Sequence, residues 1–464
     1  MSPRVVVVGA GVAGLATAYR LVSGSPSTDV VVLEADDEPG GKVRSATVGG
    51  LELEAGPDSL LARKPWAVEL CRELGLGEGL VAPTAAPASV YTDAGLLRFP
   101  SGPFGISTDP IELLRWPGMS YAGKARAGGD LVLPRRQEDG DESLGSLLRR
   151  RIGDEATEKL VAPLLGGLFA GDVDRLSVQA TFPELAAWEH EHGSLMRGAR
   201  AASKAGKARS GGSSPPPMFL RLRGGLKRLT GALVEALGPD RLRLETPVTD
   251  LALDGAGFVV GSDGGELRAD AVVLSSPAFA TADVVAPFAP VAAEHLRAIP
   301  YVTTAVVLLV YPEGTGERLP DSSGFVAPRG ALAVTAATLV SRKWPDPAFG
   351  GRAVVRGFVG AAGEEDAVNA TDDELSARVA RQLAEVFPLP EQPEAVTVVR
   401  WPRAMPQYEV GHLERVAALE GELPPGMFVA GQAYRGAGIP DCVRQASEVA
   451  DRVGAHLRGV TRTA

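Results

Sequence analysis

Residues 5–8 are four consecutive valines, with no polar residue alternating between them. An antiparallel strand with one wet face would alternate, so the run predicts a parallel strand buried on both faces. It leads directly into GAGVAG at 9–14, after which residues 15–21 place apolar side chains at helical spacing. A second apolar run, 30–33, ends at Glu34. Strand, glycine-rich turn, helix, strand and acid in this order predict a βαβ unit. Further on, 245–253 and 270–275 read as strands, and Pro277, which cannot donate to a ladder, stops the second. Leu144, Leu147, Leu148, Ile152, Leu160 and Leu164 recur at helical spacing and predict the core face of a helical region. The segment 197–217 carries Arg197, Arg200, Lys204, Lys207 and Arg209 without an acid and ends in GGSSPPP, a composition that predicts a mobile loop. Gly438, Ile439, Pro440 and Asp441 open a further helix, because proline suits a first helical turn.

Composition narrows the class. At 464 residues the chain is long enough for about two to four domains. With 45% hydrophobic residues, 56 glycines and 36 prolines, it reads as a globular, loop-rich α/β protein. Lys plus Arg is 47 and Asp plus Glu is 57, so the net charge is −10, which argues against nucleic acid as a partner. Cys71 and Cys442 are the only cysteines and form no CxxC pair, so a reducing compartment is expected. No charged n-region precedes an apolar stretch at the start, and runs such as 304–311 fall short of the roughly 20 residues of a membrane span. A cytoplasmic protein, at most membrane-peripheral, is expected.

Candidate chemistry begins at the glycines. Gly9 permits the tight turn, Gly11 lets the backbone approach a pyrophosphate, and Gly14 lets the helix pack close to the sheet. Glu34, 20 residues beyond Gly14 (34 − 14), stands where an acid accepts hydrogen bonds from a ribose and disfavours a 2′-phosphate. His190 and His192, two apart on a predicted helix, do not share a face, and no metal is expected. Cys442 reads as a small packed side chain.

Several further segments carry a resemblance. They are the Gly56, Pro57, Asp58, Ser59 turn followed by Arg63 and Lys64, APLLGGLFAGD at 162–172, RGGL at 223–226, WPRAMPQY at 401–408 and AGQAYRGAGIPD at 430–441. Together with ADDEPGGKVR after Glu34, an extension usual in FAD proteins of the amine oxidase group, they resemble the protoporphyrinogen and coproporphyrinogen oxidase family. The likeness runs in order over nearly the whole chain, and GPDS with Arg-Lys and GIPDC is most similar to the bacterial coproporphyrinogen III oxidase branch. The resemblance implies an α/β chain made of a Rossmann-like FAD-binding domain, a discontinuous α+β substrate domain and a mostly helical domain. Mapped here, the FAD domain comprises 1–44, 224–282 and 413–464, the substrate domain 45–85, 181–223 and 283–412, and the helical domain 86–180.

The same resemblance implies non-covalent FAD held by Gly9, Gly11, Gly14, Glu34, Gly41, Lys42, Gly56, Pro57, Asp58, Ser59, Val248, Gly431, Gly438, Ile439, Asp441 and Val443. It assigns Lys64, Gly167 and Leu168 to the porphyrinogen substrate, with Arg63 a weaker candidate. The implied activity is oxidation of coproporphyrinogen III to coproporphyrin III in the coproporphyrin-dependent route to haem, with oxygen as acceptor and hydrogen peroxide as product. A transient contact with the next enzyme of that route is implied as well. No catalytic general base is assigned, and Phe358 stands where some relatives have tyrosine, so it supplies no proton. Protoporphyrinogen IX as substrate, an amine oxidase or carotenoid desaturase of the same superfold, and a flavin-free carrier remain open alternatives. An amine oxidase favours an aromatic pair at the flavin, for which Tyr434 is the one candidate.

Overall fold

The computed structural model describes residues 2–137, 140–209, 217–255 and 257–463. The valine run is the strand Arg4–Val8, which pairs in parallel with Asp29–Leu33 on one side and Ala271–Leu274 on the other. Leu242–Arg243 and Met427–Val429 complete a five-stranded, all-parallel sheet. Both faces are covered, as the unbroken apolar run requires. Val5 and Val7 pack into one cluster with the helices Val12–Gly24, Lys227–Leu237 and Ile439–Thr463. Val6 and Val8 pack into another, with the three-stranded sheet Val248–Asp254, Gly257–Ser262 and Gly265–Ala269 and with the helices Ala278–Val285, Pro290–Arg297 and His412–Glu422. The expected strand at 245–253 therefore lies outside the parallel sheet and begins later. Glu245 has φ +49, and its N–H donates to Asp36 O, so it belongs to the turn before the strand.

A seven-stranded sheet forms the second layer, in the order Ala395–Pro406, Tyr301–Val310, Val354–Val359, Val334–Leu339, Gly324–Val326, Ser89–Thr92 and Gly95–Arg98. Alternation along Tyr301–Val310 sorts its side chains. Ala305, Val307 and Leu309 face the cluster under the helix Asp372–Val386, while Val306, Leu308 and Val310 face the hairpin Ser45–Val48 and Leu51–Glu54. The third core is helical, with Leu144, Leu147, Leu148, Ile152 and Leu160 buried and Leu164 packed against them.

The segment expected as a mobile loop is helical for most of its length. Leu195–Arg209 is one helix, and residues 210–216 lie outside the described residues. Alanine, arginine and lysine favour a helix, and no proline interrupts them before 215. Leu195 and Ala199 are fully buried, and the Arg197 N–H donates to Ser194 Oγ at 3.2 Å, a cap at the start of the helix. Burial of one side thus overrides what a run of basic residues suggests when read as composition.

Candidate active site

The glycine turn has the geometry of a nucleotide cradle. Gly9 sits at φ +102, and its N–H donates to Leu33 O at 2.7 Å. A Cβ on Gly14 would meet Gly9 O at 2.0 Å and Ser275 Oγ at 2.4 Å, so only glycine lets this helix approach the sheet. Gly11 precedes the helix Val12–Gly24 with no side-chain cap, and a Cβ there would meet nothing within 4 Å. An uncapped helix N-terminus opening onto free space suits an anionic group, since its N–H groups have no other acceptor. Two substitutions separate these roles. Gly11→Ala is expected to leave the apoprotein's thermal unfolding midpoint nearly unchanged while weakening dinucleotide binding about tenfold or more. Gly14→Ala is expected to lower the midpoint itself. Calorimetry of the apoproteins and a flavin-quenching titration check both, and equal loss of stability in the two variants would contradict the assignment.

Glu34 follows Asp29–Leu33 and lies over the same turn, with its Oε2 accepting from Ala10 N at 2.6 Å and its Oε1 from Asp36 N at 3.0 Å. Gly41, at φ +58, is packed on Gly11, since a Cβ on it would meet Gly11 Cα at 3.2 Å. Lys42 reaches across the chain, where its Nζ donates to Gln432 Oε1 at 2.6 Å. Burial lowers its ammonium to about 8, while burial pushes the neighbouring Cys442 thiol up to about 12. Gly56 comes next in this stack, for a Cβ on it would meet Lys42 O at 1.8 Å. The turns at 9–14, 40–42 and 56–59 are therefore in mutual contact.

Asp58 anchors the last of these turns. Its Oδ2 accepts from Trp344 Nε1 at 3.1 Å and pairs with Lys343 Nζ at 3.3 Å and Arg356 Nη1 at 3.5 Å, while Ser59 Oγ donates to Oδ1 at 2.7 Å. Burial alone would raise this carboxyl, but Lys343 and Arg356 outweigh it and hold it well below the usual carboxylate range. Gly431, at φ +138, lies 3.8 Å from Ala13 Cβ and from Ser275 O, measured from the position its own Cβ would take. Tyr408 braces the segment that follows: its hydroxyl donates to Gln432 O at 2.5 Å and accepts from Gly436 N at 3.0 Å. Gly438 is exposed and Ile439 half-buried at the opening of the helix Ile439–Thr463, and Val443 is buried inside it. Val248 is half-buried at the start of its strand. Tyr434 is 1% exposed and packs in the cluster on the sheet's outer face.

Of the expected substrate residues, Lys64 is brought onto Asp441 at the first turn of that C-terminal helix. Its Nζ lies 2.7 Å from both carboxylate oxygens. Gly167 and Leu168, on the helix Ala162–Phe169, are both exposed, Leu168 to 53%, so neither is core. Arg63 pairs with the exposed Glu184 at 2.9 Å and stacks over the Phe104 ring at 4.8 Å. Gln432, Tyr408, Lys343, Trp344 and Arg356 were not assigned from sequence. The signal for Arg356 is its charge inside an otherwise apolar strand, VVRGFV; Tyr408 and Gln432 lie in the WPRAMPQY and AGQAYRGAGIPD segments that carry the resemblance, while Lys343 and Trp344 carry no signal because their partners are distant in the chain.

The fold and motifs are shared with known proteins. Residues 12–454 match the family described as flavin containing amine oxidoreductase. The chain is 34% identical over 452 residues to coproporphyrinogen III oxidase of Bacillus subtilis (strain 168), covering 95% of this chain and 96% of that one. It is 33% identical to coproporphyrinogen III oxidase of Staphylococcus aureus (strain NCTC 8325 / PS 47), over 98% of this chain and 100% of that one. Among solved structures, "Putative protoporphyrinogen oxidase" from Exiguobacterium sp. 255-15 superposes with a TM-score of 0.86 at 32% identity, covering 99% of both chains.

Proposed function

The chain belongs to the flavin-containing amine oxidoreductase family, and from that membership we propose that it oxidises coproporphyrinogen III to coproporphyrin III, with oxygen as final acceptor and hydrogen peroxide as product. FAD, when bound, supplies the redox chemistry, taking two electrons and a proton from the substrate in each of three rounds. The open N-terminus at Gly11 and the Gly41 and Gly56 turns packed against it would hold the dinucleotide. The observation that carries the reading is the Lys64 to Asp441 pair. It joins the cation expected to meet the substrate's carboxylates to the helix expected to face the flavin. Two of the three Lys64 N–H groups are engaged by Asp441, leaving one for a propionate. The exposed Leu168 and Gly167 offer the macrocycle an apolar wall that allows close approach.

The domain division at 1–44, 224–282 and 413–464, with the substrate and helical parts as assigned above, belongs to this reading, although the strands Ser89–Thr92 and Gly95–Arg98 join the seven-stranded sheet and the helix Leu195–Arg209 packs into the helical core; the cytoplasm and contact with the next enzyme of the route belong to it as well. Among the described residues no helix is long and apolar enough to cross a membrane. Peripheral membrane contact would use the exposed Ile111, Leu114, Tyr121 and Val132, near the basic helix Leu195–Arg209.

Aerobic turnover of the purified protein on coproporphyrinogen III and protoporphyrinogen IX, followed by porphyrin fluorescence and peroxide, tests the function. A higher kcat/KM on the tetracarboxylate is expected. The opposite preference transfers the assignment to protoporphyrinogen IX, in line with the superposed structure's description, "Putative protoporphyrinogen oxidase". Inactivity on both, with flavin bound, overturns the porphyrinogen reading.

Lys42 adds a pH signature. Its ammonium is charged below about 8 and neutral above, and an anionic pyrophosphate favours the charged form. Flavin binding therefore takes up a proton above that pH, and the apoprotein's affinity for FAD is expected to fall as pH rises through 8. The neighbouring Cys442 stays a thiol throughout this window. Titrations at pH 7 to 9 check this, and Lys42→Met is expected to bind more weakly without the step.

A further inference from the structure

Five ionisable side chains from five segments converge behind the turn at 56–59. Glu54 comes from the strand Leu51–Glu54, Asp58 from the turn, and Arg221 from the strand Phe219–Leu222. Lys343 ends the helix Val340–Lys343, and Arg356 lies within the strand Val354–Val359. Arg356, 3% exposed, donates through Nη2 to Gly56 O and pairs through Nη1 with Asp58. Glu54, 5% exposed, accepts from Leu226 N at 2.6 Å. Glu54 Oε2, Arg221 Nε and Arg356 Nε are buried with no hydrogen-bond partner among the described residues.

Three cations, Arg356 buried and Arg221 and Lys343 half-buried, stand against two carboxylates and leave a surplus positive charge. Burial pushes the Glu54 carboxyl up and the Arg356 guanidinium down, but a guanidinium stays charged, so the surplus persists. Uncompensated buried charge is costly and is normally balanced by a partner. The turn the cluster supports is packed directly on Lys42 and, through Gly41, on Gly11. Reduction of a bound flavin by two electrons with uptake of one proton would add one negative charge to the cofactor this turn is proposed to hold.

We propose that this cluster, with Arg356 as its principal positioning residue, sets the reduction potential of the bound flavin by favouring the reduced, more negative state. The inference rests on the FAD reading above. Arg356 acts in two ways: its charge contributes to the field, and its hydrogen bond to Gly56 O fixes the peptide that presents the turn to the cofactor. The substrate sheet, which carries Arg356, is thereby coupled to the cofactor cradle.

The test is the two-electron midpoint potential of the FAD-loaded protein, measured by dye-equilibrated reductive titration. Arg356→Met and Lys343→Met are expected to lower the potential, each by about tenfold in the redox equilibrium, about 30 mV. Asp58→Asn, which removes a negative charge from the same cluster, is expected to raise it. Arg356→Lys is expected to keep most of the potential while weakening FAD binding, because it retains the charge and loses the two-pronged grip. A purely structural cluster would give shifts of one sign, or none, for Lys343→Met and Asp58→Asn, and either result overturns the inference even where Arg356→Met fails to fold. A wild-type protein that takes up no FAD overturns the reading beneath it, and is distinguished by its lack of flavin absorbance.

Discussion

Asp130→Ala is expected to be among the most destabilising single substitutions in this protein, costing about 3–5 kcal/mol. Asp130 and Arg151 are both fully buried and pair at 2.7 Å in the helical region. The rest of the guanidinium is satisfied mainly by backbone: Nη2 donates to Asp130 O at 2.6 Å and Gly193 O at 2.7 Å, and Nη1 to Pro134 O at 2.9 Å, with a longer contact to Glu189 Oε1 at 3.5 Å. The carboxylate also accepts from Ser194 Oγ at 2.6 Å, Met196 N at 2.8 Å and Leu195 N at 3.2 Å. One residue thus neutralises a buried cation and caps the helix Leu195–Arg209. Alanine leaves the cation only the longer contact from Nη1 to Glu189 at 3.5 Å, a carboxylate shared with Arg150, and leaves the first helical N–H groups without an acceptor. The magnitude follows because the pair lacks the solvent that reduces a surface salt bridge to under about 1 kcal/mol. Denaturant unfolding followed by circular dichroism measures the loss, and limited proteolysis is expected to cut first near residue 195. Replacing both partners, Asp130→Ala with Arg151→Met, is expected to recover part of the stability, since no buried charge is then left alone. A loss below 1 kcal/mol for Asp130→Ala would refute the account.

Lys64→Ala is expected to lower kcat/KM for the porphyrinogen about tenfold to a hundredfold, with FAD still bound. The loss corresponds to about 1.4–2.8 kcal/mol of transition-state stabilisation, in the range of a charge-assisted hydrogen bond. Two effects combine. The substrate loses a cation for its carboxylate, and Asp441, 10% exposed at the first turn of its helix, loses the ammonium that both its oxygens contact. The glycine turns proposed to hold the dinucleotide are untouched, so the flavin spectrum should remain. Steady-state kinetics with the visible spectrum of the purified variant decide the matter. Unchanged kinetics remove Lys64 from the substrate site, and a colourless variant moves it to the cofactor. Lys64→Arg, which restores a cation with a different reach, is expected to recover part of the rate.

What could be read from the chain was local. Four valines followed by GAGVAG specify a two-faced buried strand, a tight turn and a helix, because strand burial and glycine geometry are set within about 20 residues. The helix opened at Ile439–Pro440 and the buried leucines of 144–160 were legible for the same reason. The segment 197–217 with its five basic residues misled, since whether alanine and arginine form a helix or a solvated linker depends on a buried anchor. Here that anchor is Asp130, supplied from elsewhere in the fold, which also holds the local cap Ser194.

The tertiary structure alone decided the partners. Lys64 and Asp441 are 377 positions apart, Lys42 and Gln432 390, and Arg356 and Gly56 300. No periodicity carries information across such separations. The sequence by itself determined the parallel nucleotide-binding unit, its glycines and the acid at the end of its second strand, because backbone sterics and hydrophobic alternation act between near neighbours. Which cation meets which carboxylate, and that three cations and two carboxylates share one interior site, follows only when the two sheets and the helical layer close on one another and desolvate their charges together.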